Sequence, residues 1–409
     1  MRRCHVFSVA WSSQKSDIWY NNLMKQKTEK TALSTANVVT ATELAEILDM
    51  QLDALHADPS IAGTLPPLLI HGSPGCGKSS IVKSVCEKHG IDFIDARLAQ
   101  MEPCDIKGLP VPDKENKVME WFVNGTWPRD PNGKGIIFLD EITAADRSIQ
   151  VAAYELVLDR RLGKLYTVPP GYLIVAAGNN TTDRAVAMTM SSALANRFMH
   201  VELREDATSW CKWAQINGIH PAVVGFITYK PNILFNMDGE NLERGWPSPR
   251  SWERVSQMCH IYKSSSDRLL KKIVYGLVGP GAGAEFMAFY KLNAKFDNIL
   301  DIMLDPNSVI NIPAHADEKY AMCSAMTYLL WRGQDKAEED QRLDGFYRIS
   351  CELSSDFATM ALNAALLGKN DSETKYRCAA LLKHPRFKDW KAKHGDAMRK
   401  YMDLSKVFK

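Results

Sequence analysis

The stretch "LLIHGSPGCGKSS" constrains the fold of this 409-residue chain more than any other segment. A short apolar run leads into a glycine-rich loop, Gly72–Ser79, that matches the pattern GxxxxGK[ST], and a helical pattern follows. Glycines let the backbone curve so that its N–H groups point inward at a phosphate, and the next helix adds the positive end of its dipole. The sequence therefore predicts a strand, a phosphate-binding loop and a helix in that order.

This loop offers a set of ligands for a nucleotide and its metal ion. Lys78 can reach the β- and γ-phosphates, and the Ser79 hydroxyl can bind Mg²⁺. Inside the loop, backbone amides and the nearby lysine would lower the pKa of Cys76 and make it reactive, whereas the alternative is a small residue that only fills space. We expect ATP and Mg²⁺ as cofactors. The predicted nucleotide contacts are Gly72, Ser73, Pro74, Gly75, Cys76, Gly77, Lys78, Ser79 and Ser80.

A second apolar strand, in "KGIIFLDEITAAD", ends in two carboxylates. Asp140 and Glu141 stand at the carboxyl end of this strand, where open α/β sheets bind ligands. Asp140 is predicted to hold the Mg²⁺ shell. Glu141 is predicted to polarise the attacking water, as a general base does.

Two further polar positions follow apolar or helical segments. "GYLIVAAGNNTTD" ends in amides, and we expect Asn179 to orient the attacking water or contact the γ-phosphate, with Asn180 as the alternative and a plain turn as the structural explanation of both. In "SSALANRFMHVEL", Arg197 ends a helix before a strand. Either it stabilises the helix dipole, or it is an arginine finger supplied to a neighbouring subunit.

The segment "RGWPSPRSWERV" predicts a helix that begins with an unusually placed cation. Ser248 can cap the helix, and Pro249 suits its first position. Arg250 then faces the positive end of the helix dipole, which is mildly unfavourable. We interpret Arg250 as a phosphate sensor on a second domain, which Trp246 and Trp252 would pack.

Alternating patterns divide the chain into four regions. Between residues 68 and 204, short apolar runs alternate with helical patterns, which predicts an α/β fold with a parallel sheet flanked by helices. Thr40 and Glu43 form a capping box at the start of a preceding helix. We expect a mobile leader over 1–35, of which residues 1–23 are either a leader or an annotation overrun. A P-loop NTPase core over 36–204, a helical lid over 205–292 and an all-helical extension over 293–409 complete the prediction.

Composition narrows the classes of function. The net charge of +2 gives no support to strong non-specific nucleic-acid binding. Nine cysteines without metal-binding spacing indicate reduced thiols in a cytoplasmic protein. No apolar run approaches the roughly 18 residues that span a bilayer, so no membrane partner is expected. The basic carboxyl-terminal segment with interleaved aromatics predicts an amphipathic surface helix, with nucleic-acid contact as the alternative.

In order, the phosphate loop, "IIFLDE", "AAGN", "ALANRF" and "SPRSW" resemble the AAA+ ATPases, in particular the MoxR-like branch. The resemblance covers roughly residues 40–260. It assigns the Walker A motif to Gly72–Ser79, the Walker B motif to Asp140 and Glu141, sensor 1 to Asn179, the arginine finger to Arg197 and sensor 2 to Arg250.

Two segments lie where the resemblance implies insertions. "EPCDIKGLPVPDKENKVMEWFVNGTWP" matches an insertion in the second helix of this branch, and "DRRLGKLYTVPPG" matches a hairpin before sensor 1. We expect Trp121 and Phe122 to pack in the core, with contact to a protein substrate as the alternative. Arg160 or Arg161 is either an inter-subunit contact or part of a solvated helix end.

The resemblance implies a Mg²⁺-dependent ATP hydrolase that forms a homo-oligomeric ring, a hexamer by family precedent, and remodels a protein partner. The chain shows no Asp-x-Ser-x-Ser motif, so we expect no fused von Willebrand factor A-like module. The resemblance implies a separate protein with such a module as one kind of partner. A nucleic-acid motor or restriction-type translocase is the alternative. Glu141, Asn179 and Arg197 disfavour a scaffold that only binds ATP, and the long helical lid disfavours a small-molecule kinase.

Overall fold

The structure, a computed structural model, describes residues 37–164, 166–179, 190–237, 244–262 and 267–401. The predicted leader, residues 1–35, lies outside these ranges, as does Asn180. Within them, no helix combines the length and the apolar character needed to cross a membrane.

Ten strands and sixteen α-helices occur in the described ranges. The strands are β1 (Val38–Val39), β2 (Leu68–His71), β3 (Asp92–Arg97), β4 (Leu109–Asp113), β5 (Val118–Phe122), β6 (Gly135–Asp140), β7 (Arg161–Leu162), β8 (Tyr166–Thr167), β9 (Tyr172–Gly178) and β10 (Met199–Leu203). The helices are α1 (Ala41–Ala57), α2 (Lys78–His89), α3 (Pro103–Lys107), α4 (Arg147–Asp159), α5 (Ser192–Ala195), α6 (Ala207–Ile216), α7 (Pro221–Tyr229), α8 (Pro249–Ile261), α9 (Asp267–Val278), α10 (Pro280–Asn293), α11 (Ile299–Leu304), α12 (Ala316–Leu330), α13 (Lys336–Glu352), α14 (Ser355–Leu366), α15 (Asp371–Lys383) and α16 (Phe387–Tyr401). Short 3₁₀ turns span Pro59–Gly63, Leu98–Gln100, Pro231–Ile233 and Ala294–Phe296.

Six strands form one parallel sheet in the order β1, β10, β2, β9, β6, β3. Alternate residues of each strand point to opposite faces of the sheet. Leu69 therefore packs with α4, while Leu68 and Ile70 pack with α1 and α2. This confirms the predicted parallel sheet flanked by helices and all five predicted strands. The sequence missed β1, because two residues are too few to carry a pattern.

Local helix signals also hold. At the start of α1, the N–H of Thr40 donates to Glu43 Oε2 at 2.8 Å, and the N–H of Glu43 donates back to Thr40 Oγ1 at 3.3 Å. The predicted capping box is therefore confirmed.

After β10, the described residues form helices and turns but no strand. α6 to α10 pack around Trp252, Phe226 and Phe286, which are fully buried. α12 packs against α7 and α10 and adds Ala321 to the same apolar cluster. The predicted lid and the predicted extension therefore share a core. In α16, Trp390, His394 and Met398 are buried at a spacing of four residues, which confirms an amphipathic helix.

Trp121 and Phe122 do not pack in the core; that prediction is wrong. They lie on β5, which pairs with β4 in a two-stranded antiparallel hairpin, and their exposed fractions are 47% and 62%. Every residue of β5 is exposed, because among the described residues β4 and β5 pair only with each other and no other element forms a layer on them. Trp127 anchors the base of this insertion, since it is buried and its Nε1 donates to the carbonyl of Ile106 at 3.1 Å.

The interpretation of Arg160 as part of a solvated helix end is wrong, whereas an inter-subunit contact stays a prediction. Its half-buried guanidinium donates to the carbonyls of Pro169 and Tyr172, at 3.2 and 2.6 Å, and so ties the end of α4 to the start of β9. Arg161 is exposed and pairs with Glu155 and Asp159, as expected of a solvated helix end. β7 and β8 form the hairpin that was predicted before Asn179, the predicted sensor 1.

Candidate nucleotide-binding site

The glycine-rich loop joins β2 to α2 and lies against the first turn of α8. Gly75 and Gly77 have φ values of +83° and +100°, in the left-handed region that favours glycine. A Cβ atom on Gly75 would also stand 3.1 Å from Ser248 Oγ. Glycine is needed at position 75 for two reasons: its backbone angle and the close approach of the start of α8.

Lys78 joins two of the predicted site segments. Its Nζ donates to the carbonyls of Gly72 at 2.7 Å and Ser73 at 3.2 Å, and to Asn179 Oδ1 at 3.2 Å. The N–H of Asn179 in turn donates to Thr143 Oγ1 at 3.0 Å. The amide at the end of β9 is therefore held beside the lysine of the glycine-rich loop.

Asp140 ends β6 and Glu141 follows it, at the same edge of the sheet. Burial raises the pKa of the Asp140 carboxyl. The hydrogen bond from the Glu141 N–H and the positive charge of Lys78 each lower this pKa in part. Asp140 Oδ1 accepts that N–H at 2.9 Å. Glu141 has a φ of +58°, an unusual value for a residue other than glycine, and such backbone strain concentrates at functional sites.

Two supporting residues escaped the sequence analysis. Thr143 accepts the Asn179 N–H, and nothing in its neighbourhood in the sequence marks it. Gln150 is buried, and its Nε2 donates to the carbonyls of Ile142 and Ala145 at 3.1 and 3.2 Å. A polar residue on the apolar face of α4 was the available signal. Together they brace the turn after β6.

The predicted reactive thiol at Cys76 is wrong. Burial raises the pKa of Cys76, and this effect exceeds the lowering by the nearby Lys78 charge. The side chain is only 8% exposed and belongs to the apolar cluster under α1 and α2. Cys76 fills space within the loop, which was the alternative interpretation.

Arg197 contacts α4 and α5 of its own chain. It follows α5, its Nη1 donates to the carbonyl of Ala193, and its guanidinium carbon stands 4.7 Å from the ring centroid of Tyr154 on α4. Its Nε is buried and, within the described residues, has no hydrogen-bond partner. These contacts leave open both predicted roles, helix stabilisation and action in a neighbouring subunit.

Arg250 reaches the loop through its backbone. Its N–H donates to the carbonyl of Gly75 at 3.3 Å, while its side chain is exposed. Ser248 caps α8 by accepting the N–H of Ser251 at 3.2 Å, and Pro249 is the first helical residue, as predicted. Trp252 is fully buried and Trp246 is half-buried.

The oxygen atoms available for a metal ion fit Mg²⁺. No cluster of three or more His, Cys, Asp or Glu residues that could hold a metal ion occurs in the part of the chain that the structure describes. Ser79 and Asp140 offer one hydroxyl and one carboxylate. Mg²⁺ commonly takes one or two protein oxygens and completes its shell with phosphates and water.

A parallel sheet, a glycine-rich loop before a helix, and acidic and amide residues at the ends of neighbouring strands define a P-loop nucleotide-binding fold of the AAA+ class. Residues 68–201 match the family model described as ATPase family associated with various cellular activities (AAA). The match contains Lys78, Asp140, Glu141, Asn179 and Arg197, whereas Arg250 lies beyond it. This segment is therefore similar to the AAA ATPase family domain. Assignment to the MoxR-like branch stays a prediction.

Two curated proteins are similar over part of the chain. Midasin of Giardia intestinalis is 26% identical over 175 residues, which cover 39% of this chain and 3% of midasin. ATPase family gene 2 protein homolog A of Homo sapiens is 30% identical over 155 residues, which cover 36% of this chain and 16% of that protein. The chain therefore spans a small part of these relatives.

Among solved structures, NtrX from Brucella abortus in complex with ATP is 15% identical, with a TM-score of 0.34, over 97% of this chain and 76% of NtrX. The RuvB Holliday junction branch migration motor of Thermotoga maritima is 14% identical, with a TM-score of 0.31, over 63% of this chain and 74% of RuvB. Likeness at this level carries no conclusion about function.

Proposed function

We propose that the chain is a Mg²⁺-dependent ATP hydrolase that works as a homo-oligomeric ring, with six subunits by family precedent, and remodels a protein partner. The observation that carries hydrolysis is the contact of Lys78 with Asn179 beside the Asp140–Glu141 pair. Binding a nucleotide needs the loop and its lysine, whereas hydrolysis also needs a base and a group that orients water.

Each residue has a distinct task in this proposal. Ser79 and Asp140 would hold Mg²⁺, which neutralises charge on the phosphates when bound. Lys78 would exchange the carbonyls of Gly72 and Ser73 for phosphate oxygens. Glu141 would accept a proton from water that Asn179 orients. Most of the rate enhancement would come from positioning and charge stabilisation.

Two features support a homo-oligomer. The guanidinium of Arg197 stands over the ring of Tyr154 on α4. On the same helix, Val151 and Leu158 are 60% and 41% exposed, and each lies about one turn from Tyr154, on opposite sides of it along one stripe. A second copy that covered this stripe would bury the apolar side chains and bring Arg197 to the neighbouring nucleotide. The number of subunits stays a prediction.

The β4–β5 hairpin supports a protein partner. Its exposed apolar side chains are Leu109, Val111, Val118, Met119, Trp121 and Phe122. The segment carries two lysines against three acidic residues, so it lacks the positive charge that phosphate backbones attract. This disfavours the nucleic-acid motor. A von Willebrand factor A-like partner and a cytoplasmic location stay predictions.

The substitution Glu141→Gln tests hydrolysis directly. It keeps the size of the side chain and removes the base, so we expect ATP affinity to stay within about twofold and turnover to fall roughly 100-fold or more. Phosphate release and fluorescent-nucleotide binding measure the two quantities. Glu46→Gln, at an exposed position on α1, makes the same chemical change away from the site and serves as the matched control. Turnover of Glu141→Gln at the rate of the control would remove Glu141 from its role.

A further inference from the structure

Two histidines lie side by side at the base of the phosphate loop. His71 is the last residue of β2, directly before Gly72, and His200 lies on the adjacent strand β10. The register pairs His200 with Leu69, so the two histidines are diagonal neighbours on one face of the sheet. Their rings are stacked, with centroids 5.2 Å apart and an interplanar angle of 9°.

Hydrogen bonds give this pair a direction. Nε2 of His200 lies 2.8 Å from the carbonyl oxygen of Ala195, and Nε2 of His71 lies 2.9 Å from Nδ1 of His200. A carbonyl can only accept, so Nε2 of His200 carries a proton. In the neutral ring of His200, Nδ1 then accepts and Nε2 of His71 donates. Burial lowers the pKa of His71, and the nearby His200 and Lys78 lower it further, which favours the neutral form of His71.

The hydrogen-bond chain ends next to Arg197. Ala195 is the last residue of α5, and Arg197 follows it by two residues. Phe198 packs edge-on against the ring of His200, with centroids 6.4 Å apart. At the other end, Gly72 continues directly from His71, and its carbonyl accepts from Lys78 Nζ. The segment just before Arg197 is therefore linked to β2, the strand that enters the phosphate loop, by hydrogen bonds through the two histidine side chains.

We propose that His71 and His200 are positioning residues that link the phosphate loop of one subunit to the arginine which that subunit offers to its neighbour. This rests on the proposed function, in which Arg197 acts in the neighbouring site. A shift of the loop on nucleotide binding moves the end of β2, and the paired rings carry the shift to Ala195. If these two positions served only for packing, apolar side chains would suffice. The two hydrogen bonds, from His71 to His200 and from His200 to Ala195, also fix the distance between the loop and the arginine.

Mixed oligomers separate the subunit that hydrolyses from the subunit that supplies the arginine. Arg197→Ala subunits keep Glu141 and lack the arginine, whereas Glu141→Gln subunits keep the arginine and lack the base. Each variant alone is expected to be inactive. A mixture regains turnover where an Arg197→Ala site faces a Glu141→Gln neighbour, because the arginine stabilises the transition state in trans.

The substitution His71→Leu is then placed in one partner at a time. In the arginine-supplying Glu141→Gln partner, we expect it to lower kcat of the mixture roughly tenfold with an unchanged KM for ATP, the size expected for a lost hydrogen bond. In the Arg197→Ala partner, the fall in kcat should be less than half as large. His71→Gln keeps an N–H donor near the position of Nε2 and should restore most of kcat.

His56→Leu is the matched control, since His56 is also half-buried in the same domain and its Nε2 contacts the carbonyl of Gly171. His200→Gln provides a second variant, because its amide still donates to Ala195 but its acceptor is displaced. It should act as His71→Leu does, and it replaces that variant if thermal melting shows His71→Leu unfolded. Equal losses of kcat from both partners, or failure of His71→Gln to rescue, overturn the linkage. Failure of the parent mixture at every ratio overturns the shared site itself, and the linkage falls with it.

Discussion

At the scale of single residues, the predicted general base stands on a strained backbone that its surroundings hold in place. Glu141 has a φ of +58°, which costs about 1–3 kcal/mol for a residue other than glycine. Its N–H donates to the Asp140 carboxylate, and its carbonyl accepts from the N–H groups of Ala144 and Ala145 at 2.9 and 3.1 Å. Three hydrogen bonds of its N–H and carbonyl groups therefore hold the backbone of Glu141 in this conformation.

Thr143 is expected to position Asn179. Thr143→Val keeps the shape of the side chain but removes the oxygen that accepts the Asn179 N–H. A part-buried N–H without a partner costs about 1 kcal/mol or more, so we expect turnover to fall about fivefold or more while ATP binding is retained. Thr143→Ser keeps the acceptor and should stay near the wild-type rate. Steady-state phosphate release compares the two; equal rates would show that Asn179 needs no support from Thr143.

At the scale of elements, the start of α8, in the predicted lid, is in contact with the phosphate loop. The first N–H groups of a helix have no partner within the helix, and here the N–H of Arg250 donates to Gly75. Ser248 caps the helix and also stands against Gly75. Trp252 fixes the helix to its own domain, since it is fully buried and its Nε1 donates to the carbonyl of Ile233 at 3.0 Å. The phosphate loop therefore contacts a helix that is anchored in its own apolar core.

Arg250→Ala separates the role of this side chain from that of its backbone. The side chain is exposed, so the free energy of unfolding should change by less than about 0.5 kcal/mol. If the guanidinium contacts phosphate, turnover or ATP affinity should fall roughly tenfold or more. Arg254→Ala, an exposed arginine one turn later on α8, is the control. A variant with normal kinetics and stability would reduce the stretch to a well-capped helix.

At the scale of the whole molecule, the predicted lid, residues 205–292, packs against the predicted extension, residues 293–409. α12 lies across α7 and α10, and Tyr229 of the lid contacts Tyr320 of α12, with ring centroids 5.6 Å apart. At Gly225 on α7, an added Cβ atom would stand 2.8 Å from Ser324 Oγ. The two regions should therefore unfold together.

Gly225→Leu is expected to push α7 and α12 apart. Overpacking of a buried contact destabilises by about 1–3 kcal/mol, so the melting temperature should fall. Gly276→Leu adds the same side chain on α9, where a Cβ atom meets nothing within 4 Å, and should be neutral or slightly stabilising. Thermal melting by circular dichroism compares the variants. A normal melting temperature for Gly225→Leu would show that the contact between lid and extension is loose.

Much of the candidate site could be predicted because its residues follow strands. Lys78, Asp140 and Asn179 meet since the carboxyl ends of neighbouring parallel strands share one edge of the sheet. Thr143 and the pair of His71 and His200 could not be predicted in the same way. Their partners are 36 and 129 residues apart in sequence, and only strand order and register bring them together.

By itself, the sequence determined the features that depend on a few neighbouring residues: the order of strand, glycine-rich loop and helix, the cap at Thr40 and the cap at Ser248. These are local because the hydrogen bonds and backbone angles involved span one turn. Only the tertiary structure decided which side chains are covered. Trp121 is exposed because no other described element packs on its hairpin. Burial in the apolar cluster that includes residues of α1 and α2 raises the pKa of Cys76. Covering a side chain requires elements far apart in the chain, and local pattern carries no information about which of them meet.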